Sequence, residues 1–170
     1  MLRQQREGTD LLSVSDYFDE TDSYIGFFAV SSGRHIQNLA KEYEKIGDSY
    51  RSLIIQTLAD RLAEASAEWL QYYVTRQLWE VNIRPAWGYP MMPDQTLILK
   101  TEKILPYKEI GIELTENGAM NPPASISGIY ISNPTSKYFM IGEIGEDQLQ
   151  DYASRRKLPY EKVKSLLRQI

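Results

Sequence analysis

The chain has 170 residues, of which 42% are hydrophobic and 25% charged, with a formal net charge of −4, no cysteine and one histidine. A pI near 5.1 argues against nucleic acid as a partner, because that needs a basic surface. The lack of cysteine removes disulfides, thiol nucleophiles and thiolate metal sites together, and His35 by itself makes neither a multi-histidine metal centre nor a proton relay.

The length suits one domain with a real core, or the greater part of a larger one. No stretch approaches a membrane span, and the opening Met1-Leu2-Arg3-Gln4-Gln5 has no apolar signal core, so the chain reads as soluble and cytoplasmic. Residues 1–22 are polar and irregular around a small apolar knot, Leu11-Leu12 and Tyr17-Phe18. Asp16-Tyr17-Phe18-Asp19 reads either as a segment docked on the core or as an acidic surface patch. Tyr24 to Val30 is almost continuously apolar, rich in aromatic and β-branched residues, as a strand buried on both faces would be. Gly26 inside it suggests a bulge or a close backbone contact, and Ser31-Ser32-Gly33 ends it.

Leu39, Tyr43, Ile46, Tyr50, Leu53, Ile54, Leu58, Leu62, Ala65, Trp69, Tyr72 and Tyr73 recur at three- and four-residue steps. That spacing is one apolar stripe on a helix, interrupted near Gly47 and resuming from an Asp48 cap to about Gln77. The stripe is expected to face the core. Asp60, Glu64 and Glu68, one turn apart, would ordinarily be a solvated edge.

Arg84-Pro85-Ala86-Trp87-Gly88-Tyr89-Pro90 is neither helix nor strand by composition. Each proline fixes its own φ and pushes the preceding residue out of the helical region. Gly88 is the one position where the backbone turns left-handed or lies against a ligand at no steric cost. Taken by itself, the segment is a stiff corner with Arg84 in an ordinary salt bridge. Taken as a site, it is a fixed guanidinium followed by accessible N–H and C=O groups.

Beyond it, Pro93-Asp94-Gln95-Thr96 reads as a helix start, and Pro106 stops that helix or opens a short one ending near Gly111. Ile112-Glu113-Leu114 is a brief strand, and Asn117-Gly118 and Asn121-Pro122-Pro123 are turn chemistry. Ser125 to Ser132 alternates with period two, Asn133-Pro134-Thr135-Ser136 is a tight loop, and Lys137 to Ile144 returns as a second strand of an antiparallel hairpin. Two helices follow, about Glu146 to Lys157 and Tyr160 to Arg168, parted by Pro159. The fold expected is α+β, a small, mainly antiparallel twisted sheet packed against a long helix, with C-terminal helices.

The Arg84–Pro90 run resembles one family when joined to Leu114-Thr115-Glu116, Met120, Pro122, Ala124-Ser125, Ser127-Gly128, Tyr130, Ser132, Pro134 and Ser136-Lys137-Tyr138. That family is the activation domain of cobalamin-dependent methionine synthase, the module that binds S-adenosylmethionine. Ala59-Asp60-Arg61-Leu62-Ala63-Glu64-Ala65 is similar to its helix, and Asp22 to Gly26 to its first strand. The resemblance implies a single activation-type domain over residues 1–170 that lacks the N-terminal part of the full family domain, including an aspartate that contacts the ligand there. It implies ligand contacts from Arg84 to the carboxylate, from the backbone of Ala86 and Gly88, from Tyr138 with Phe139 beside it, and from Glu64. It also implies a partner that carries cobalamin, since no Asp-x-His-x-x-Gly motif occurs here, and a flavodoxin-type reductant. On this reading the chain is a module of methionine synthase rather than a complete enzyme, and self-association is left open. The alternative is a relative that kept the fold, lost the ligand and acts as a protein-interaction module. For Tyr138 the competing role is packing on the hairpin. Trp87 stands where the family has proline, and would either cover the ligand or fill space.

Overall fold

The structure, a computed structural model, describes residues 1–167. It is α+β: a strand β1 (Ile25–Ser31), two helices α1 (Arg34–Lys45) and α2 (Ser49–Gln77), short strands β2 (Glu113–Leu114) and β3 (Met120–Asn121), a strand β4 (Ser125–Ile131), and helices α3 (Glu146–Arg156) and α4 (Tyr160–Leu167). The end of the last expected helix, Arg168, lies outside the described residues. Among the described residues no helix is long and apolar enough to cross a membrane. The chain forms two compact units, each assembled from separate stretches of sequence.

One unit contains residues 27–80 and 96–128. Lys45 ends α1, Gly47 turns the chain at φ +80°, and the Asp48 carboxylate accepts the Arg51 N–H at 3.0 Å as the cap of α2. The break and the cap are where the sequence puts them. α1 packs on α2. The face of α2 that is buried, however, is Ser52, Ala59, Ala63, Ala67 and Val74. The large apolar side chains expected in the core are in solvent: Leu58 is 57% exposed and Trp69 63%, with Tyr50, Leu53, Leu62 and Tyr72 also open. Two faces of α2 carry helical periodicity. The small one is buried, because alanine and serine let backbones approach closely while long side chains hold them apart.

β1 and β4 form a two-stranded sheet. The Ser32 N–H donates to Ala124 O at 3.0 Å, and the Ser127 hydroxyl to Phe28 O at 2.8 Å, contacts that run in opposite senses along the two strands. Only Phe28 of β1 is buried, and Tyr24 stands outside the strand in solvent, so β1 is not buried on both faces. β4 is: all seven of its residues are buried. β2 pairs antiparallel with β3, Glu113 opposite Asn121 and Leu114 opposite Met120. The Tyr107 hydroxyl lies 2.7 Å from that of Thr101 and 2.8 Å from that of Ser127, a buried chain that ties two turns of 3₁₀ helix (Gln95–Lys100 and Tyr107–Ile110) to β4.

The other unit contains Met1–Gly26, Val81–Gln95 and the chain from Ile129 on. Its core joins Leu2, Ile141, Leu149, Tyr152, Val163 and Leu167, with Phe139 packed against it. The apolar knot near the N-terminus docks: Tyr17 is buried at the end of a 3₁₀ turn (Val14–Tyr17), and Asp16 receives the Arg3 guanidinium at 2.7 Å. The expected return strand, Lys137 to Ile144, does not form, so β4 is not the first arm of a hairpin. Isolated contacts anchor that stretch instead: Gln4 Nε2 donates to Met140 O at 2.8 Å, and the Ile141 N–H donates to Pro90 O at 2.9 Å. The partner of β4 in this unit is the chain around Ile83, which forms a bridge to Ile131.

Candidate functional site

The proline-rich segment begins as an edge alongside β4. Ile131 N–H donates to Ile83 O and Ile129 N–H to Pro85 O, both at 3.0 Å. Pro85, which has no N–H to offer, is tolerated because only its carbonyl is asked for. The chain then turns. Gly88 takes φ +80°, its N–H donates to Met92 O at 2.9 Å, and the Met92 N–H donates to Tyr89 O at 2.8 Å. Ala86 and Trp87 point inward and are buried, whereas Gly88, Tyr89 and Pro90 are exposed. The segment is rigid for two reasons, ring-fixed φ angles and closure at both ends by hydrogen bonds.

Gly88 is held to glycine by conformation and by space. A Cβ there would sit 3.3 Å from Gln95 Cβ, and a left-handed φ costs an L-residue about 1–2 kcal/mol. Gly88→Ala should lower the unfolding free energy by that amount, seen as a lower urea midpoint with an unchanged m-value. An unshifted midpoint would mean that the turn relaxes freely.

Tyr138 reaches this segment from the other side of its unit. Its phenol oxygen accepts the Arg84 backbone N–H at 2.9 Å, and its ring stays 60% exposed. Its neighbours fix it in place: Tyr17 OH donates to Lys137 O at 3.2 Å, and Lys137 Nζ pairs with Asp10 at 2.5 Å. Phe139 turns the opposite way, packing on the unit's core and meeting the Tyr17 ring at 6.4 Å between centroids.

A buried phenol also belongs here. Tyr130 of β4 lies close to the Arg84 guanidinium; burial pushes its pKa up to about 12, while the arginine pulls it the other way. The sign of the linkage follows. Below pH 10 the phenol is protonated in the folded and the unfolded chain, and its contribution to stability is complete. Between pH 10 and about 12 the unfolded chain loses the proton first, so stability falls by about 1.4 kcal/mol per pH unit. Tyr152, raised by burial and by Asp94, acts with the same sign. Tyr130→Phe should therefore remove part of the alkaline loss in urea unfolding measured at pH 9 and 11. An unchanged slope would contradict the burial argument.

Asp94 follows the segment in sequence. It is 2% exposed, accepts the Tyr152 hydroxyl at 2.7 Å, and lies 3.0 Å from Arg156 Nη1, whose side chain is 10% exposed. The two charges pair almost wholly out of solvent.

Of the six residues singled out by sequence, Arg84, Ala86, Gly88, Tyr138 and Phe139 fall in one unit, and the Arg84 backbone and Tyr138 phenol are in contact. Glu64 is half-buried on α2, in the other unit. Trp87 fills space: it is buried, and its indole N–H has no acceptor among the described residues. Sequence reasoning quoted Tyr130 only as part of the family pattern, without a role, and missed the Asp94–Tyr152–Arg156 cluster. Tyr130 carried a weak signal, an aromatic on an alternating strand, and Asp94 only that of a helix start.

The arrangement offers a cation, exposed main chain at a glycine turn and an accessible phenol ring, a set suited to a small zwitterionic ligand with a flat heterocycle. Comparison with known proteins places it further. Residues 1–157 match the family described as vitamin B12 dependent methionine synthase, activation domain. Among solved structures, the chain is similar to a crystal structure of the MetH reactivation domain bound to AdoHcy, with a TM-score of 0.89 and 35% sequence identity. The match covers 98% of this chain and 58% of that one, so this chain spans little more than half of its neighbour's length.

Proposed function

The chain belongs to the family of vitamin B12 dependent methionine synthase activation domains, and from that premise we propose that it holds S-adenosylmethionine for the reductive reactivation of cob(II)alamin carried by a partner protein or domain. Residues 1–170 would act as one module of a corrinoid methyltransferase such as methionine synthase, in the cytoplasm, with a flavodoxin-type protein as the electron donor. The observation that carries the reading is the hydrogen bond from the Arg84 N–H to the Tyr138 phenol. It joins the Arg84–Pro90 segment and the Ser136-Lys137-Tyr138 segment, which lie about fifty residues apart in sequence, at one place.

The residues present suit the ligand. Arg84 grips the carboxylate with two parallel hydrogen bonds, a geometry that lysine lacks. The exposed main chain at Gly88, together with Ala86, meets the adenine edge, and the Tyr138 ring offers a π face to adenine or to the sulfonium. Phe139, through its packing on the core, fixes the direction of Tyr138. When bound, the ligand supplies an activated methyl group, and the cobalt that receives it belongs to the partner. This chain's own share is orientation, turning an encounter into a positioned transfer; no general base is required of it. The bound AdoHcy of the similar MetH reactivation domain, which is the same molecule without the methyl, supports the assignment.

Titration calorimetry with S-adenosylmethionine and with AdoHcy tests this. One-to-one binding of both is expected. Absence of heat at high ligand concentration would overturn the reading in favour of an interaction module without a ligand.

A further inference from the structure

The large exposed face of α2 has no role in the reading above. Ile54, Leu58, Leu62, Ala65, Trp69 and Tyr72 follow one another at steps of four, four, three, four and three, the spacing of a helix-packing seam. With Tyr50 and Tyr73 this face holds on the order of 900 Å² of side-chain surface still open to solvent, judged from the exposed fractions. The largest apolar patch of an ordinary monomer is about 300–600 Å², and a stable interface takes about 800 Å² from each partner.

We propose that this face is the interface of a homodimer in which the α2 helices of two copies pack antiparallel across a two-fold axis. The seam is self-complementary in that arrangement. An axis passing between Leu62 and Ala65 sets Leu62 of each copy over the small Ala65 of the other, with Trp69 against Leu58 and Tyr73 against Ile54. Val30, Leu62, Ala65, Ser66, Trp69 and Leu70 line an apolar hollow on this face, which receives the incoming leucine. The Trp69 and Tyr73 rings are already stacked, with centroids 5.6 Å apart and planes inclined by 20°, so little side-chain entropy remains to be lost there. The same flank carries both signs of charge, and the arrangement brings Arg61 of one copy next to Glu68 of the other. A partner of a single charge sign would leave one of these opposed. Antiparallel helices also align their dipoles favourably.

Sedimentation equilibrium should give twice the monomer mass of 19.6 kDa. Leu62→Glu, an exposed position whose replacement leaves the core untouched, should raise the dimer dissociation constant by about 30-fold or more, the size of a hot-spot loss, with an unchanged circular dichroism spectrum. Because the chain has no cysteine, single-cysteine variants report the direction of pairing. A mixture of Leu62→Cys and Ala65→Cys chains should form a disulfide-linked pair under mild oxidation more readily than either variant by itself, and Glu42→Cys on α1 should form none. A monomer at all accessible concentrations, a dimer indifferent to Leu62→Glu, or linkage within each variant in preference to the mixture would overturn the proposal. None of these outcomes bears on ligand binding, which calorimetry measures separately.

Discussion

Arg84→Ala is expected to weaken S-adenosylmethionine binding by about 2–5 kcal/mol, a factor of roughly 30 to several thousand in the dissociation constant. The guanidinium is presented by a segment that cannot adjust: Pro85 fixes the backbone beyond it, and the Tyr138 phenol holds its own N–H. A ligand carboxylate deprived of that cation finds no mobile substitute in the segment. Arg84→Lys should fall between, since the charge is kept while the planar fork is lost. The measurement is calorimetry with each variant, paired with urea unfolding to show that the fold persists. Equal affinity for wild type and Arg84→Ala would remove Arg84 from the binding site while leaving family membership intact. Tyr138→Phe provides an internal comparison, because it deletes the contact to the Arg84 N–H but keeps a ring in place.

The second large effect concerns stability. Asp94→Ala removes the acceptor of the Tyr152 hydroxyl and the counter-charge of Arg156 in one step. Breaking a buried pair from one side leaves the other charge uncompensated and costs about 3–5 kcal/mol. For a chain of this size that corresponds to a fall in Tm of roughly 6–20 °C. Asp94→Asn keeps an acceptor for Tyr152 but not the charge, and should recover only a small part. Replacing both partners, Asp94→Ala with Arg156→Met, should be milder than Asp94→Ala, since no orphan charge remains. Differential scanning calorimetry of the four proteins decides it. A shift in Asp94→Ala of less than about 2 °C would mean that water reaches the pair.

Local signals in the sequence translated well wherever one residue decides the outcome. Gly47 and Asp48 mark the join between α1 and α2 because a left-handed turn and a side-chain cap are single-residue events. Gly111 ends its 3₁₀ turn for the same reason. Periodicity was less informative on α2, since it finds faces and does not rank them. The alanine face and the leucine–tryptophan face repeat alike, and close backbone approach selected the smaller one. The stretch from Lys137 to Ile144 has the composition of a strand, yet β4 is bridged there by the chain around Ile83, a partner distant in sequence and invisible to a local reading. The Asp94–Arg156 pair was hidden for the same reason: a turn-forming aspartate and a helical arginine each have an ordinary local explanation. In the candidate site, the family resemblance pointed to Arg84 and Tyr138, which share a hydrogen bond, whereas the burial of the Tyr130 phenol needed coordinates.

The unit that carries Arg84 and Tyr138 is drawn from three separated stretches, the first opening at Met1 and the last including Val163 and Leu167. During synthesis Leu2 is made well before the residues it packs against, from Ile141 to Leu167. The segment around Leu2 must therefore wait, exposed, until the stretch that carries Val163 and Leu167 has left the ribosome. Contacts spanning such separations close slowly. Chains cut short within α3 or α4 should be degraded or aggregate rather than accumulate, and the Arg84–Pro90 segment should be among the last features to become protected from hydrogen exchange during refolding.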